Sequence, residues 1–486
     1  MSTDLHTHTS AGPQIAHPEA STISTVVTNP TVIAIDTPTL GDRSYLAHDG
    51  QVAVVIDPQR DVDRLLALAE QAGVRITHVL ETHIHNDYVT GGLALARATG
   101  AGYYVNADDD VAYERTPIRD GELVSVSPTL RLRAIATPGH TFTHLSYALE
   151  SRREGDGEFA PVAVFTGGSL LFGTTGRPDL LGDDHADALA RHQYASAHRL
   201  ASELPDAADV LPTHGFGSFC SPGAAGEATA STIGAEKRQN AALTQDEETW
   251  VADTLASLDA YPAYYVHMTP ANSAGPLDAD LTLPEVADAE TVAARIQAGE
   301  WVIDLRTRSA FAAGHVHGTL NFGLDGQFAT YVGWLLPWDA SLTLLGDTAE
   351  QVSEAQRELV RIGMERFDGA ATGTPSDWTS DELGTFPRAT FADLAQVRHH
   401  RPVVVLDVRR GQEVSASHID GAVNIPIHEL LDRGADVPPG EVWVHCAGGY
   451  RASIAASVLA AQGRQVVAVD DSYDESAAPS GLTLVA

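Results

Sequence analysis

Short apolar runs alternate with amphipathic stretches through the first half of this chain. Val52-Ala53-Val54-Val55-Ile56-Asp57 and Ile76-Thr77-His78-Val79-Leu80-Glu81 each end on an acid, the pattern of a buried strand running out into a loop. Between them Asp61 to Ala72 carries Leu65, Leu66 and Leu68 inside a predicted amphipathic helix. Further strands are predicted over Leu130 to Ala136 and Pro161 to Thr166, and a long helix over Asp184 to Ser202. A Gly/Ala/Ser-rich loop is predicted from Gly215 to Thr232. Residues from about 30 to 245 therefore read as alternating strands and helices.

The second half repeats itself. Val302-Ile303-Asp304-Leu305-Arg306 is followed by His315, Gly318 and Asn321; Val405-Leu406-Asp407-Val408-Arg409 is followed by His418, Gly421 and Asn424. The two aspartates stand 103 residues apart, and so do the two asparagines. A constant offset of domain size implies two copies of one α/β module. The polar segment from Gly369 to Thr385 is the expected linker between them.

Composition narrows the classes. The chain has 486 residues, room for about three domains, and no apolar run long enough to span a bilayer. Residues 1–25 lack the basic start and apolar core of a secretory leader and read as a disordered tail. A net charge of −35 argues against nucleic acid and against anionic membranes as partners; Lys237 is the single lysine. Two cysteines, Cys220 and Cys446, cannot build a disulfide framework and fit a reducing cytoplasm, which leaves both thiols free for chemistry.

Two constellations carry chemistry. His83-x-His85-x-Asp87, directly after a predicted strand, packs two imidazoles and a carboxylate into five residues, a compact metal-ligand cluster. His140 in Pro138-Gly139-His140-Thr141 and His214 in Pro212-Thr213-His214-Gly215 sit at further predicted strand ends, where α/β layers bind ligands. The second constellation is Cys446-Ala447-Gly448-Gly449-Tyr450-Arg451, delivered by the β-type run Glu441 to His445 and followed by a helix over Ala452 to Ala461. A helix N-terminus, successive loop amides and the Arg451 charge all point at the sulfur and favour a thiolate. Small residues at Ala447, Gly448 and Gly449 admit a bound anion.

The first constellation, together with Phe165-Thr166-Gly167 and Gly176-Arg177-x-Asp179, resembles the metallo-β-lactamase superfamily and, within it, the persulfide dioxygenases related to glyoxalase II. In that family one Fe(II) is held at positions matching His83, His140 and Gly168. Two departures stand out: Tyr88 replaces the next motif histidine, so a second metal loses a ligand, and Gly168 replaces the family carboxylate. Two repairs remain open. His85 completes a three-histidine face with His83 and His140, or Asp87 supplies the oxygen ligand. A domain surviving as a metal-free scaffold is the third reading. Arg177 matches the position that grips the carboxylate of a thiol co-substrate. Tyr88 either fills the vacated pocket or hydrogen-bonds toward oxygen, and Cys220 is either a persulfide acceptor near the metal or a passive loop residue.

The second constellation resembles the rhodanese family, including Asp407-Val408-Arg409, Glu413, His418-Ile419-x-Gly421 and Asn424-Ile425-Pro426. That resemblance makes Cys446 a carrier of sulfane sulfur, with the six-residue loop length seen for sulfur rather than phosphate substrates. The first repeat has Gly346-Asp347-Thr348 where the nucleophile would fall and reads as a degenerate copy, its Asp304, Arg306 and His315 serving the fold.

The expectation is an α/β and α+β multidomain chain: an αββα metallo-β-lactamase fold over 26–250, a linker and degenerate rhodanese-like α/β domain over 251–370, a linker over 371–385, and a rhodanese domain over 386–486. The implied activity is oxidation of a low-molecular-weight thiol persulfide by O2 toward sulfite, coupled to thiosulfate or persulfide sulfur transfer through Cys446. One Fe(II) is expected on His83, His85 and His140, with zinc as the alternative, and a homo-oligomer is expected. A sulfurtransferase alone, and a glyoxalase II-like thioester hydrolase, are the competing readings.

Overall fold

The computed structural model describes residues 23–28, 30–152, 157–221 and 228–486. The apolar runs become the strands Val52–Ile56, Arg75–Leu80, Leu130–Ala136 and Ala160–Gly167, and the amphipathic stretches the helices Asp63–Ala72 and Asp183–Glu203. A seven-stranded sheet runs in chain order from Ile23–Thr28 to Thr116–Ile118, and a six-stranded sheet in chain order from Leu123–Ser125 to Ser231–Thr232. Three apolar layers show how they stack. Tyr45, Leu132, Tyr147 and Phe165 fill the space between the sheets. Leu65, Leu68, Leu93 and Leu95 seal two helices onto the outer face of the first sheet. Ala190, Ala197 and Leu200 seal the long helix onto the outer face of the second. The order is helix, sheet, sheet, helix, as expected.

Two small parallel sheets follow. Leu320–Asn321, Trp301–Asp304, Leu342–Gly346 and Phe367–Thr372 lie side by side in that order; Val423–Asn424, Val404–Asp407, Val442–His445 and Val466–Val469 do the same, with Arg388–Ala389 added at the edge. The repeat is thus one topology used twice, and its shared residues perform one structural task. Arg306 closes a bidentate pair on Asp304, and Arg409 does so on Asp407, both at 2.6 Å. Asn321 donates to the carbonyls of Asp304 and Arg306, and Asn424 to those of Asp407 and Arg409. His315 and His418 each hydrogen-bond the carbonyl four residues earlier. These are ties between a strand and the turn after it.

Several boundaries move. The helix Glu247–Ala256 crosses position 250 and buries Trp250 and Val251 against the long helix, so the first domain extends through it. The linker expected over 371–385 is folded: it holds the helix Pro375–Trp378, with Trp378 buried in the core of the first repeat beneath Arg306, and Gly384 bridged to His315. A polar composition concealed one buried tryptophan that anchors the whole stretch. Most of the tail expected over 1–25 lies outside the described residues, but Ile23, Ser24 and Thr25 pair with Ile35, Ala34 and Ile33 in a strand. Of the loop expected over 215–232, residues 222–227 lie outside the described residues, and Ser231–Thr232 joins the second sheet beside Asp209–Pro212. Among the described residues no helix is long and apolar enough to cross a membrane.

Trp378→Ala is expected to destabilise the first repeat by about 3–5 kcal/mol, the cost of removing a buried aromatic. Urea unfolding followed by tryptophan fluorescence and hydrogen exchange checks this; a free linker would show no change.

Candidate functional site

The histidines meet at one end of the double sheet. Each follows a strand: His83 and His85 follow Arg75–Leu80, His140 follows Leu130–Ala136, and His214 follows Asp209–Pro212. A single carboxylate ties these loops together. Asp57, just past Val52–Ile56, accepts from the Thr82 amide at 2.7 Å, the Thr82 hydroxyl at 2.8 Å and the Thr213 hydroxyl. It is the one described non-glycine residue with a positive φ, 51°, a strained conformation held by these bonds.

All four imidazoles are buried, and their orientation is specified. His140 donates through Nδ1 to the Arg177 carbonyl at 2.9 Å, so its Nε2 faces inward with no hydrogen-bond partner. His214 presents Nδ1 to Asp42 at 2.9 Å and to Asp87 at 3.1 Å, and its Nε2 lies 3.4 Å from that of His83. His85 turns Nε2 toward Asp57 and Glu81, both at 3.3 Å, leaving Nδ1 buried and unpartnered. Such second-layer carboxylates fix ring orientation in metal centres. Burial pushes His140 down to about 3, aided by the His214 charge. Burial opposes a charged His85, but Asp57 and Glu81 carry it up to about 9. Burial raises both carboxyls of the Asp42–Asp87 pair; His214 pulls Asp87 back below its ordinary range, while Asp87 drives Asp42 further up.

Buried nitrogen and carboxylate atoms at His85, His140, Asp42 and Asp87 have no hydrogen-bond partner, the donor set a cation site presents. The donor atoms of His83, His85 and His214 lie within 4.8 Å of one another, and so do those of His140, His214 and Cys220. His214 is common to both groups. Asp87 spends one oxygen orienting His214.

Gly168 is more than a missing carboxylate. A Cβ there would lie 2.3 Å from Cδ2 of His140, and one at Gly176 would lie 2.8 Å from its Nδ1. The ring of His140 occupies the slot between two glycines. Tyr88 is fully buried, its hydroxyl 3.0 Å from His85 Nε2 and donating to the Asp57 carbonyl at 3.3 Å. Arg177 differs from expectation: its guanidinium is buried in a bidentate pair with Asp179 at 2.7 Å and donates to the carbonyls of Phe219 and Asp259. Arg177 nevertheless lines the cavity that also holds Cys446. Cys220 is buried, with burial and the nearby Asp87 charge pushing its thiol well up.

Three residues were missed in the sequence. His144, four positions after His140, stacks on His83 at 5.0 Å, but both its nitrogens are engaged, one by Thr137 and one by the Gly168 amide. Asn272, on the helix Tyr265–Ala274, donates to the carbonyls of His85 and Tyr88 and accepts from the Thr90 amide; only its distance along the chain hid it. Arg410 is the third, described below.

The second site is the loop from Cys446 to Arg451. Gly449 has φ 92°, and its amide donates to the Cys446 sulfur at 3.1 Å. Any side chain at 449 would strike Asp470. Arg451 closes a bidentate pair on Glu413 at 2.6 and 2.7 Å. Burial alone would raise the Glu413 carboxyl, but the Arg451 hydrogen bonds and charge pull it down to about 2. Tyr450 donates to the Gly323 carbonyl, and Ser453 to Asn321, so the first repeat braces the thiol loop. Cys446 lines a cavity of about 630 Å³ to which all three parts of the chain contribute: Ser218 and Phe219 from the first domain, Gln327 and Tyr331 from the first repeat, Arg410 and Arg451 from the second. Arg410 has carboxylates only at 3.5 Å, from Asp259 and Glu413, and lies over the Phe219 ring. Its position next to the repeated Asp-x-Arg triplet was the available signal.

Residues 40–214 match the model of the metallo-beta-lactamase superfamily, and residues 390–478 match that of the rhodanese-like domain. The chain joins a metallo-β-lactamase-superfamily domain to a C-terminal rhodanese-like domain. Among curated relatives, a hydroxyacylglutathione hydrolase of Polaromonas sp. is 32% identical over 34% of this chain, and the match spans 57% of that protein's own length. The human mitochondrial persulfide dioxygenase ETHE1 is 27% identical over 44% of this chain and 72% of its own length. A crystal structure of a metallo-beta-lactamase from Staphylococcus aureus subsp. aureus COL is 28% identical, with a TM-score of 0.62, over 70% of this chain and 98% of its own. That share is longer than residues 40–214, so the likeness extends past the metallo-β-lactamase domain itself.

The rhodanese-like domain carries a pH signature. Since Glu413 is depressed from 4.5 to about 2, its pair with Arg451 adds stability that is fully present above pH 4.5 and is lost as pH falls toward 2. Glu413→Gln is expected to lack that increment, so the difference between the wild-type and variant urea midpoints narrows across this window.

Proposed function

We propose that this chain is a two-centre sulfur enzyme that oxidises a low-molecular-weight thiol persulfide with O2 at its imidazole cluster and transfers sulfane sulfur through Cys446. The observation that carries this reading is the cavity of about 630 Å³ that Cys446 shares with Ser218 and Phe219, from the loop that begins immediately after His214. Joining the two centres in one chain keeps an intermediate passing between them at high effective concentration.

The thiol step follows from the loop. The Cys446 thiolate attacks the outer sulfur of thiosulfate; the S–S bond breaks, sulfite leaves with the bonding pair, and a cysteine persulfide remains. The Gly449 amide, already 3.1 Å from the sulfur, stabilises the anionic sulfur. Arg451 is neutralised by Glu413, so Arg410 is the guanidinium available to draw an anion into the cavity.

The imidazole cluster fits a single soft-to-borderline transition ion, and His83, His85, His140 and His214 are the residues to hold it. Ferrous iron there would supply the redox chemistry that oxidation of a persulfide sulfur by O2 requires. Asp42, Asp87, Asp57 and Glu81 keep the rings in place, and burial of the cluster excludes bulk water. A relative named persulfide dioxygenase supports this assignment. The second reading, a thioester hydrolase, draws on the hydroxyacylglutathione hydrolase relatives; Tyr88 and Gly168 count against the two-metal site it would use.

Anaerobically purified protein is expected to hold one equivalent of iron and to consume O2 with glutathione persulfide, with both lost in His83→Ala. Two equivalents of zinc with thioester hydrolysis would favour the second reading instead. Cys446→Ser is expected to reduce thiosulfate:cyanide sulfur transfer to background while leaving the iron content unchanged.

A further inference from the structure

We infer that Cys220 is a further ligand of the metal centre, joining His140 and His214 of the imidazole cluster. This rests on the reading above that the cluster holds one transition ion, and it replaces the carboxylate absent at Gly168 with a thiolate reached from the other side of the site.

The donor atoms of the three residues lie within 4.8 Å of one another, and all three residues are buried. Bonds of about 2.0–2.3 Å to nitrogen and sulfur bring such donors to a common ion with small inward shifts. Independent of the cysteine, His140 Nε2 is fully buried and has no hydrogen-bond partner; its ring is turned by the Nδ1 bond to Arg177 so that this nitrogen faces the group. His214 likewise has its Nδ1 committed to Asp42 and Asp87, which leaves Nε2 as its donor.

One residue sets the spacing of His140 and Cys220. The Arg177 carbonyl accepts from His140, and the Arg177 amide donates to the Cys220 carbonyl at 2.8 Å. The Arg177 side chain is immobilised by Asp179 and two carbonyls. Cys220 is further fixed by its own amide, which donates to the Ser218 hydroxyl at 3.2 Å. Its sulfur donates to the Tyr265 hydroxyl at 3.9 Å and also lies beside Asp87. Arg177 is thus a positioning residue for two ligands through its backbone amide and carbonyl. The packing of His140 against Gly168 closes the alternative, since no carboxylate side chain fits there with the ring in place.

On binding, the Cys220 thiol proton passes to bulk water as the sulfur–metal bond forms, and no electrons are exchanged. A thiolate ligand selects a first-row transition ion such as iron, zinc or cobalt over magnesium or calcium.

The chain has two cysteines, which makes the test direct. Full-length protein stripped of metal and loaded with Co²⁺ is expected to show a near-ultraviolet thiolate-to-cobalt charge-transfer band. That band should persist in Cys446→Ser and vanish in Cys220→Ser. Cobalt bound without the band in wild type, or a band surviving in Cys220→Ser, overturns the inference and leaves the single-metal reading standing. No cobalt bound at all overturns both. Should Cys220→Ser fail to fold, X-ray absorption of cobalt-loaded Cys446→Ser must show one sulfur neighbour; a shell of nitrogen and oxygen alone refutes the assignment.

Discussion

One buried carboxylate holds the metal end of this molecule together. Asp57 collects the Thr82 amide and hydroxyl from one sheet and the Thr213 hydroxyl from the other, and its strained φ of 51° is the cost of reaching all three. The histidines follow those threonines directly. Without this clasp the two sheets could keep their apolar contacts and still fail to bring His83 and His214 to 3.4 Å. Burial of a charge is tolerated here because every oxygen is used; burial pushes the Asp57 carboxyl upward, and His85 together with these donors returns it below its ordinary range.

The degenerate repeat acquires a purpose from its contacts. It has no nucleophile, yet Gly323 and Asn321 hold the thiol loop through Tyr450 and Ser453, and Gln327 and Tyr331 form a wall of the shared cavity. On its other side Arg361 pairs with Asp61 at 2.7 Å, and its carbonyl accepts from the Val89 amide at 2.7 Å, next to Tyr88. The middle module therefore touches both loops and fixes one relative to the other.

Much of this was legible along the chain. Strand runs such as Val52–Ile56 appear as predicted because burial on both faces demands continuous apolar residues, and the repeated Asp-x-Arg, His and Asn residues announced a shared topology. The thiol loop was legible for the same reason: its chemistry is local. What escaped was held by residues distant in sequence. Asn272 supports the His85 turn from nearly two hundred residues away, Trp378 hides inside a polar segment, and Arg177 is paired with an aspartate two residues on. Spacing reveals which donors exist, but not which partner has already taken them.

The glycine slot around His140 also constrains how this sequence can change. Because the imidazole lies against Cα of Gly168, a single substitution that restored an acid there would meet the ring before it met any ion. The ring in turn is locked by the Arg177 carbonyl. An acid at position 168 is therefore reachable only after a second change that moves His140, so two positions far apart in the chain are bound to vary together.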